Sequence, residues 1–124
     1  MEFEKTEGKG LERIAVDMLD PVMAPGVSRT AVAPITVSPS GLSCQAELFL
    51  GPNDTTKVAT SGKKSFASTG ASQSVSLPVT MPTTGGVAYK VFLDVFANGY
   101  RILAYQATED VIIPSGSVDE IIWE

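Results

Sequence analysis

The chain has 124 residues, enough for one domain whose hydrophobic core needs no disulfide or metal to hold it. Hydrophobic residues make up 44% and charged residues 19%, which excludes wholesale disorder. A formal charge of −5 disfavours nucleic acid or an anionic membrane as partner, and the lack of any histidine removes the commonest general base and metal ligand.

Met1 to Gly10, rich in Glu, Lys and Gly, reads as a flexible or partner-ordered arm without the apolar centre of a signal peptide. Leu11 to Leu19 follows with Ile14, Val16 and Met18 in alternation, the pattern of a first strand. Asp20-Pro21 and Pro25-Gly26 mark turns. Arg29 to Val37 reads as a second strand, and Pro34 places it at a sheet edge or at a bulge, because proline cannot donate to a ladder. Ser38-Pro39-Ser40-Gly41 is a turn before a third strand, Leu42 to Leu50. The single cysteine, Cys44, lies in phase with Leu42, Ala46, Leu48 and Leu50, which makes it a small core residue rather than a reactive thiol.

After the break at Gly51 to Thr56, Lys57 to Thr60 and Ser65 to Ser68 read as a short hairpin around Ser61-Gly62, with Lys63-Lys64 at a solvated turn. Gln73 to Met81 sets Val75, Leu77, Val79 and Met81 on one face and Pro78 on the other. Val87 to Ala107 then gives the strongest local signal. Val87, Tyr89, Val91, Leu93 and Val95 alternate up to Asn98-Gly99, two residues that tolerate the positive φ of a tight type I′ turn. Asp110 to Ile113 either continues the hairpin or forms a last strand, and Ser115 to Glu124 reads as a C-terminal tail containing Ile121, Ile122 and Trp123. The expected architecture is all-β: an immunoglobulin-like β-sandwich of about seven to nine antiparallel strands over residues 11–114, with turns roughly every 8–12 residues.

A two-residue Asn98-Gly99 turn pairs Ala97 with Tyr100 and sets the register of the hairpin. Val95 then faces Ile102 and Leu93 faces Ala104 on the inner side. On the outer side Phe96 meets Arg101, Asp94 meets Leu103, and Phe92 meets Tyr105. An outward face with so many large apolar side chains is either a candidate interface, or is covered by the N-terminal arm or a loop of the same chain, or reflects a shifted register. The expected interface residues are Phe92, Asp94, Phe96, Arg101, Leu103 and Tyr105, joined by Ile121, Ile122 and Trp123 of the tail, which could pair with its own sheet, begin a following domain in a longer parent, or add as a strand to a neighbour.

The order of turn, strand, AELFLG, variable hairpin, STGASQSVSLPVTMP and YKVFLDVFANG resembles the CARDB-type (cell-adhesion-related) immunoglobulin-like domains of bacteria and archaea, and also small bacterial and phage-associated structural proteins. The resemblance spans about Pro21 to Pro114. It departs where such domains carry an Asn-x-Gly turn after the second strand, since Ser38-Pro39-Ser40-Gly41 stands there. It implies a non-catalytic spacer, adhesion or assembly module and brings no catalytic residues.

The adjacent acidic pairs Glu109-Asp110 and Asp119-Glu120 do not have the spacing of an EF-hand loop. Solvated charge is favoured over a Ca²⁺ site built from Asn53, Asp54, Glu109 and Asp110. No cofactor or metal is expected, no two carboxylates are singled out as a catalytic pair, and Thr83 to Tyr89 enters a strand rather than a phosphate-binding helix. The sequence thus points to a structural or interaction module that self-associates with copies of itself or a neighbouring structural protein, without membrane insertion. The alternative is a carbohydrate- or ligand-binding adhesion module using Tyr89, Tyr100, Tyr105 or Trp123 for stacking. Localisation is left open between the cytoplasm, a virion and a cell-surface protein.

Overall fold

The computed structural model describes residues 20–124. The described chain is all-β, with no helix, and its sheets are antiparallel and not closed into a barrel. The expected first strand, Leu11 to Leu19, and the arm before it lie outside the described residues.

Eight strands follow in order: β1 (Ser28–Thr36), β2 (Ser43–Gly51), β3 (Ala59–Thr60), β4 (Lys64–Ala67), β5 (Ser72–Thr80), β6 (Val87–Ala97), β7 (Tyr100–Gln106) and β8 (Val111–Ile113). β1 and β5 form a two-stranded sheet. The other six strands form the second sheet around the β2–β6 pair, which runs from Cys44↔Ala97 to Gly51↔Lys90. β7 and β8 follow one another along the far edge of β6. Pro21 and Met23 extend that edge past β8, where Ile112 N–H donates to the Pro21 carbonyl and Met23 N–H to the Ile112 carbonyl, each at 2.9 Å. This bridge, Val22↔Ile112, is parallel.

Strand alternation sets the core. Ile35 of β1 and Val75 and Leu77 of β5 pack on Cys44 and Ala46 of β2 and on Leu93, Val95 and Ala97 of β6. A second cluster, with Leu50, Val79, Met81, Tyr89, Val111 and Ile113, fills the other end. Cys44 is 1% exposed, in the core position its phase indicates. Pro34 and Pro78 are both tolerated because, among the described residues, β1 and β5 pair only with each other.

The segment around Ser61-Gly62 is not a hairpin. β3 pairs with the Phe49–Leu50 end of β2 and β4 with its Ser43–Ala46 end, so the two are pieces of one interrupted strand beside β2. Ser61 spans the interruption. Its N–H donates to the Leu48 carbonyl at 2.8 Å, and its Oγ accepts from Leu48 N–H at 3.0 Å. Ser68, buried, does similar work at the turn before β2, accepting from Leu42 N–H at 2.8 Å and donating to the Pro39 carbonyl at 2.6 Å.

Two glycines are required for different reasons. Gly99 and its neighbour Asn98 have φ of 86° and 49°, the positive values that the tight turn demands, and Ala97 pairs with Tyr100 across it. At Gly51, a Cβ would overlap the backbone carbonyl of Thr56. Gly99→Ala should therefore lose about 1–2 kcal/mol through backbone strain alone, since no atom lies within 4 Å of a Cβ there. Gly51→Ala should cost at least the roughly 1–3 kcal/mol of overpacking, because a backbone atom must move. Urea melts of the two variants check both, and equal stability with the parent would contradict this reading of the turns.

Candidate functional site

β2 and β6 are buried on both faces, and the second face carries the charged groups. Along that face Gln45 pairs with Phe96, Glu47 with Asp94, and Phe49 with Phe92. The two phenylalanine rings stack with centroids 5.1 Å apart and planes inclined by 23°. Glu47 and Asp94 are thus carboxylates directly opposite one another, an arrangement that repels unless it is compensated. Both are buried, at 6% and 8% exposure.

Compensation comes from three cations on surrounding elements. Lys57 Nζ lies 2.9 Å from Glu47 Oε1, and Thr60 Oγ1 donates to Glu47 Oε2 at 2.6 Å, so both carboxylate oxygens are engaged. On the Asp94 side, Arg101 Nη1 lies 3.7 Å from Oδ2. Lys57 also stands 4.9 Å from the Phe49 ring centroid, and Lys63 stands 4.3 Å from that of Phe96. Lys63, expected simply at a solvated turn, is exposed yet spreads over an aromatic ring. The face is closed by cations from two loops and from β7 rather than left to water.

Burial pushes the Glu47 carboxyl up, but the hydrogen bonds from Thr60 and Lys57 and the charges of Lys57 and Lys63 outweigh it and hold the group below its ordinary value of 4.5. A carboxylate held ionised, with both oxygens occupied, is suited to fixing structure rather than to moving protons near neutral pH. Beside it an open cleft of about 240 Å³ is lined by Phe49, Asp54, Phe92, Asp94, Arg101 and Gln106, among others. Asn53 accepts from Thr55 within its own loop, and Asp110 N–H donates to Asp20 Oδ1 at 3.1 Å. Among the described residues no three His, Cys, Asp or Glu side chains converge as metal ligands would.

The hairpin register departs from the sequence expectation after its first two rungs. Phe96↔Arg101 holds, but the register then shifts by one, so Val95 meets Leu103, Asp94 meets Ala104, Leu93 meets Tyr105 and Phe92 meets Gln106. Ile102 is the extra residue of a β-bulge, and a one-residue slip turns every later side chain to the opposite face. The expected continuous patch is therefore divided. Phe92, Asp94, Phe96 and Arg101 stay on the outer face, where the first two are buried within the chain itself. Leu103 and Tyr105 turn toward β1 and line an apolar groove of about 410 Å³ with Leu93 and Ala33 to Thr36, while Tyr105 also borders the outer cleft. Ile121, Ile122 and Trp123 stand apart from both, exposed on the tail.

Glu47, Phe49, Lys57 and Thr60 were not singled out by sequence. The signal was present in AELFLG, where large or charged residues occupy both parities of a strand. No protein-family model matches the chain, and no curated protein or solved structure matches it significantly.

Lys57→Met should destabilise the fold by more than the roughly 1 kcal/mol of an exposed pair but by less than the about 3–5 kcal/mol of a fully buried one. Because the carboxyl of Glu47 has a lowered pKa when folded, its contribution is complete above the unfolded value and is lost as pH falls through the lower folded one. Thermal melts of the parent should therefore drop below about pH 4.5, with a shallower drop in Glu47→Gln. Parallel pH profiles for parent and variant would contradict the assignment.

Proposed function

We propose that this chain is a non-catalytic interaction module, an immunoglobulin-like β-sandwich that self-associates through its C-terminal tail into a larger assembly. The strand order supports the sandwich reading: β1 and β5 pack on β2 and β6, much as the B and E strands face the C and F strands of immunoglobulin folds, and β7 follows β6 as G follows F. The resemblance of AELFLG and YKVFLDVFANG to CARDB-type domains points the same way. The non-catalytic reading rests on the missing histidine and on carboxylates committed to neighbouring cations.

The observation that carries self-association is the tail. Val118, Ile121, Ile122 and Trp123 are 73–90% exposed, beyond the last strand. Gly86 N–H donates to the Ile113 carbonyl at 2.6 Å, so the chain leaves the sheet at the end away from β7. Fully burying one such side chain is worth about 1.5–3 kcal/mol, which a neighbouring copy could supply. A tail reaching an unpaired strand edge of the next subunit is a head-to-tail contact, and such contacts make rings or filaments. The aromatic residues available to stack on a sugar lend less support to carbohydrate binding. Tyr89 is buried, while Tyr100, Tyr105 and Trp123 sit on a turn, in the groove and on the tail.

The full chain should sediment as an oligomer, and the chain ending at Ser117 as a smaller species with the same melting temperature. Trp123→Ser should give an intermediate distribution. A full-length chain that stays monomeric at high concentration would overturn the proposal.

A further inference from the structure

The groove beside β7 has the features of a strand acceptor. Among the described residues, β7 pairs along one edge only, with β6, and β1 pairs only with β5. Between these two edges Leu93, Leu103 and Tyr105 look onto Ala33 and Ile35, and Leu103 and Tyr105 are exposed at 48% and 52%. An edge strand with apolar side chains of this kind is a template for an added strand. β7 contains no proline, whereas β1 carries Pro34, which donates no N–H. The backbone acceptor is therefore β7.

The C-terminal tail has the matching chemistry. When extended it sets Ile121 and Trp123 on one face, and Ile122 between Glu120 and Glu124 on the other. β7 alternates in the same way, with Leu103 and Tyr105 lining the groove and Ala104 and Gln106 lining the outer cleft. A tail strand centred with Ile122 opposite Ala104 covers Leu103 and Tyr105 with Ile121 and Trp123, whichever direction it runs. The charges agree as well. Arg101, its side chain 58% exposed, is the single charged residue of β7, while the tail carries Asp119, Glu120 and Glu124 and no cation. Either direction brings Glu120 or Glu124 opposite Ile102, next to Arg101.

A second copy meets this geometry and the same chain does not. The tail leaves the sheet at the Val87 end of β6, where Gly86 N–H donates to the Ile113 carbonyl. Leu93, the partner of Tyr105, lies six residues further along β6, about 20 Å away. The edge between them is taken by Pro21 to Met23 beside β8. Val118 to Glu124 are all exposed rather than turned back.

We infer that Ile121 to Trp123 of one copy add as a strand to the outer edge of β7 in the next, seating Ile121 and Trp123 in the groove against β1. This rests on the self-association through the tail proposed above and names its acceptor. Donor and acceptor are different surfaces, so each copy gives one strand and receives another.

The test uses two full-length variants, Ile122→Cys and Ala104→Cys, mixed and oxidised with the buried Cys44 left in place. A disulfide between positions 122 and 104 of different chains should form at least about tenfold faster than one between Ile122→Cys and Ser76→Cys, on the exposed face of β5. Adding Leu103→Asp to the Ala104→Cys chain should slow the reaction to the rate of that control, while Cys44 stays unreactive as a sign of an intact core. In a chain carrying both Ile122→Cys and Ala104→Cys the bond should still join separate copies. Equal rates at positions 104 and 76 in chains that do form oligomers would overturn the acceptor and leave association through the tail standing. So would closure of the bond within one chain, or an unchanged rate with Leu103→Asp. Full-length chains that stay monomeric would overturn both.

Discussion

The pairing of β2 with β6 is the constraint on which the molecule depends. Its register, from Cys44↔Ala97 to Gly51↔Lys90, decides at once what faces inward and what faces outward. Inward, it aligns Cys44, Ala46, Leu50, Leu93 and Val95 beneath the β1–β5 pair. Outward, it brings Phe49 onto Phe92 and Glu47 opposite Asp94. All the other strands of the larger sheet attach to one of these two. A slip of one residue would expose the core side chains and bury the carboxylates without their cations.

Repulsion at the Glu47–Asp94 rung explains the arrangement of the loops above it. Two opposed carboxylates in a partly desolvated face require positive charge nearby, and it arrives from Lys57 in the connection before β3, from Lys63 in the break between β3 and β4, and from Arg101 of β7. Lys57 and Lys63 also place their ammonium groups over the rings of Phe49 and Phe96. The outer face is thereby turned into a second, thinner buried layer. What is left of the large apolar surface lies elsewhere, in the groove between β1 and β7 and on the tail.

Much of the fold was legible because strand alternation is a local signal. Val75, Leu77, Val79 and Met81 are all buried as their spacing indicates, and Asn98-Gly99 makes the turn its composition requires. The departures come from non-local effects. Ile102 resembles its neighbours in size and β-propensity, so nothing in YRILAYQ marks it as the bulged residue. Ser61-Gly62 has the composition of a turn, yet both flanking strands find β2 rather than each other, because Ser61 can carry the ladder across the break. The candidate interface was read from the hairpin register, so the bulge divided it. The compensated carboxylates were missed because their cations lie ten or more residues away or on another strand.

If the β2–β6 pair is the spine of the molecule, it should also be the last part to open. Native-state hydrogen exchange of the full chain, resolved by residue, measures this directly. The slowest amides are expected in residues 44–50 and 91–97, exchanging only with global unfolding, while β1 and β5 open at lower free energy. Slowest exchange in the β1–β5 pair, with β2 and β6 opening first, would contradict the account.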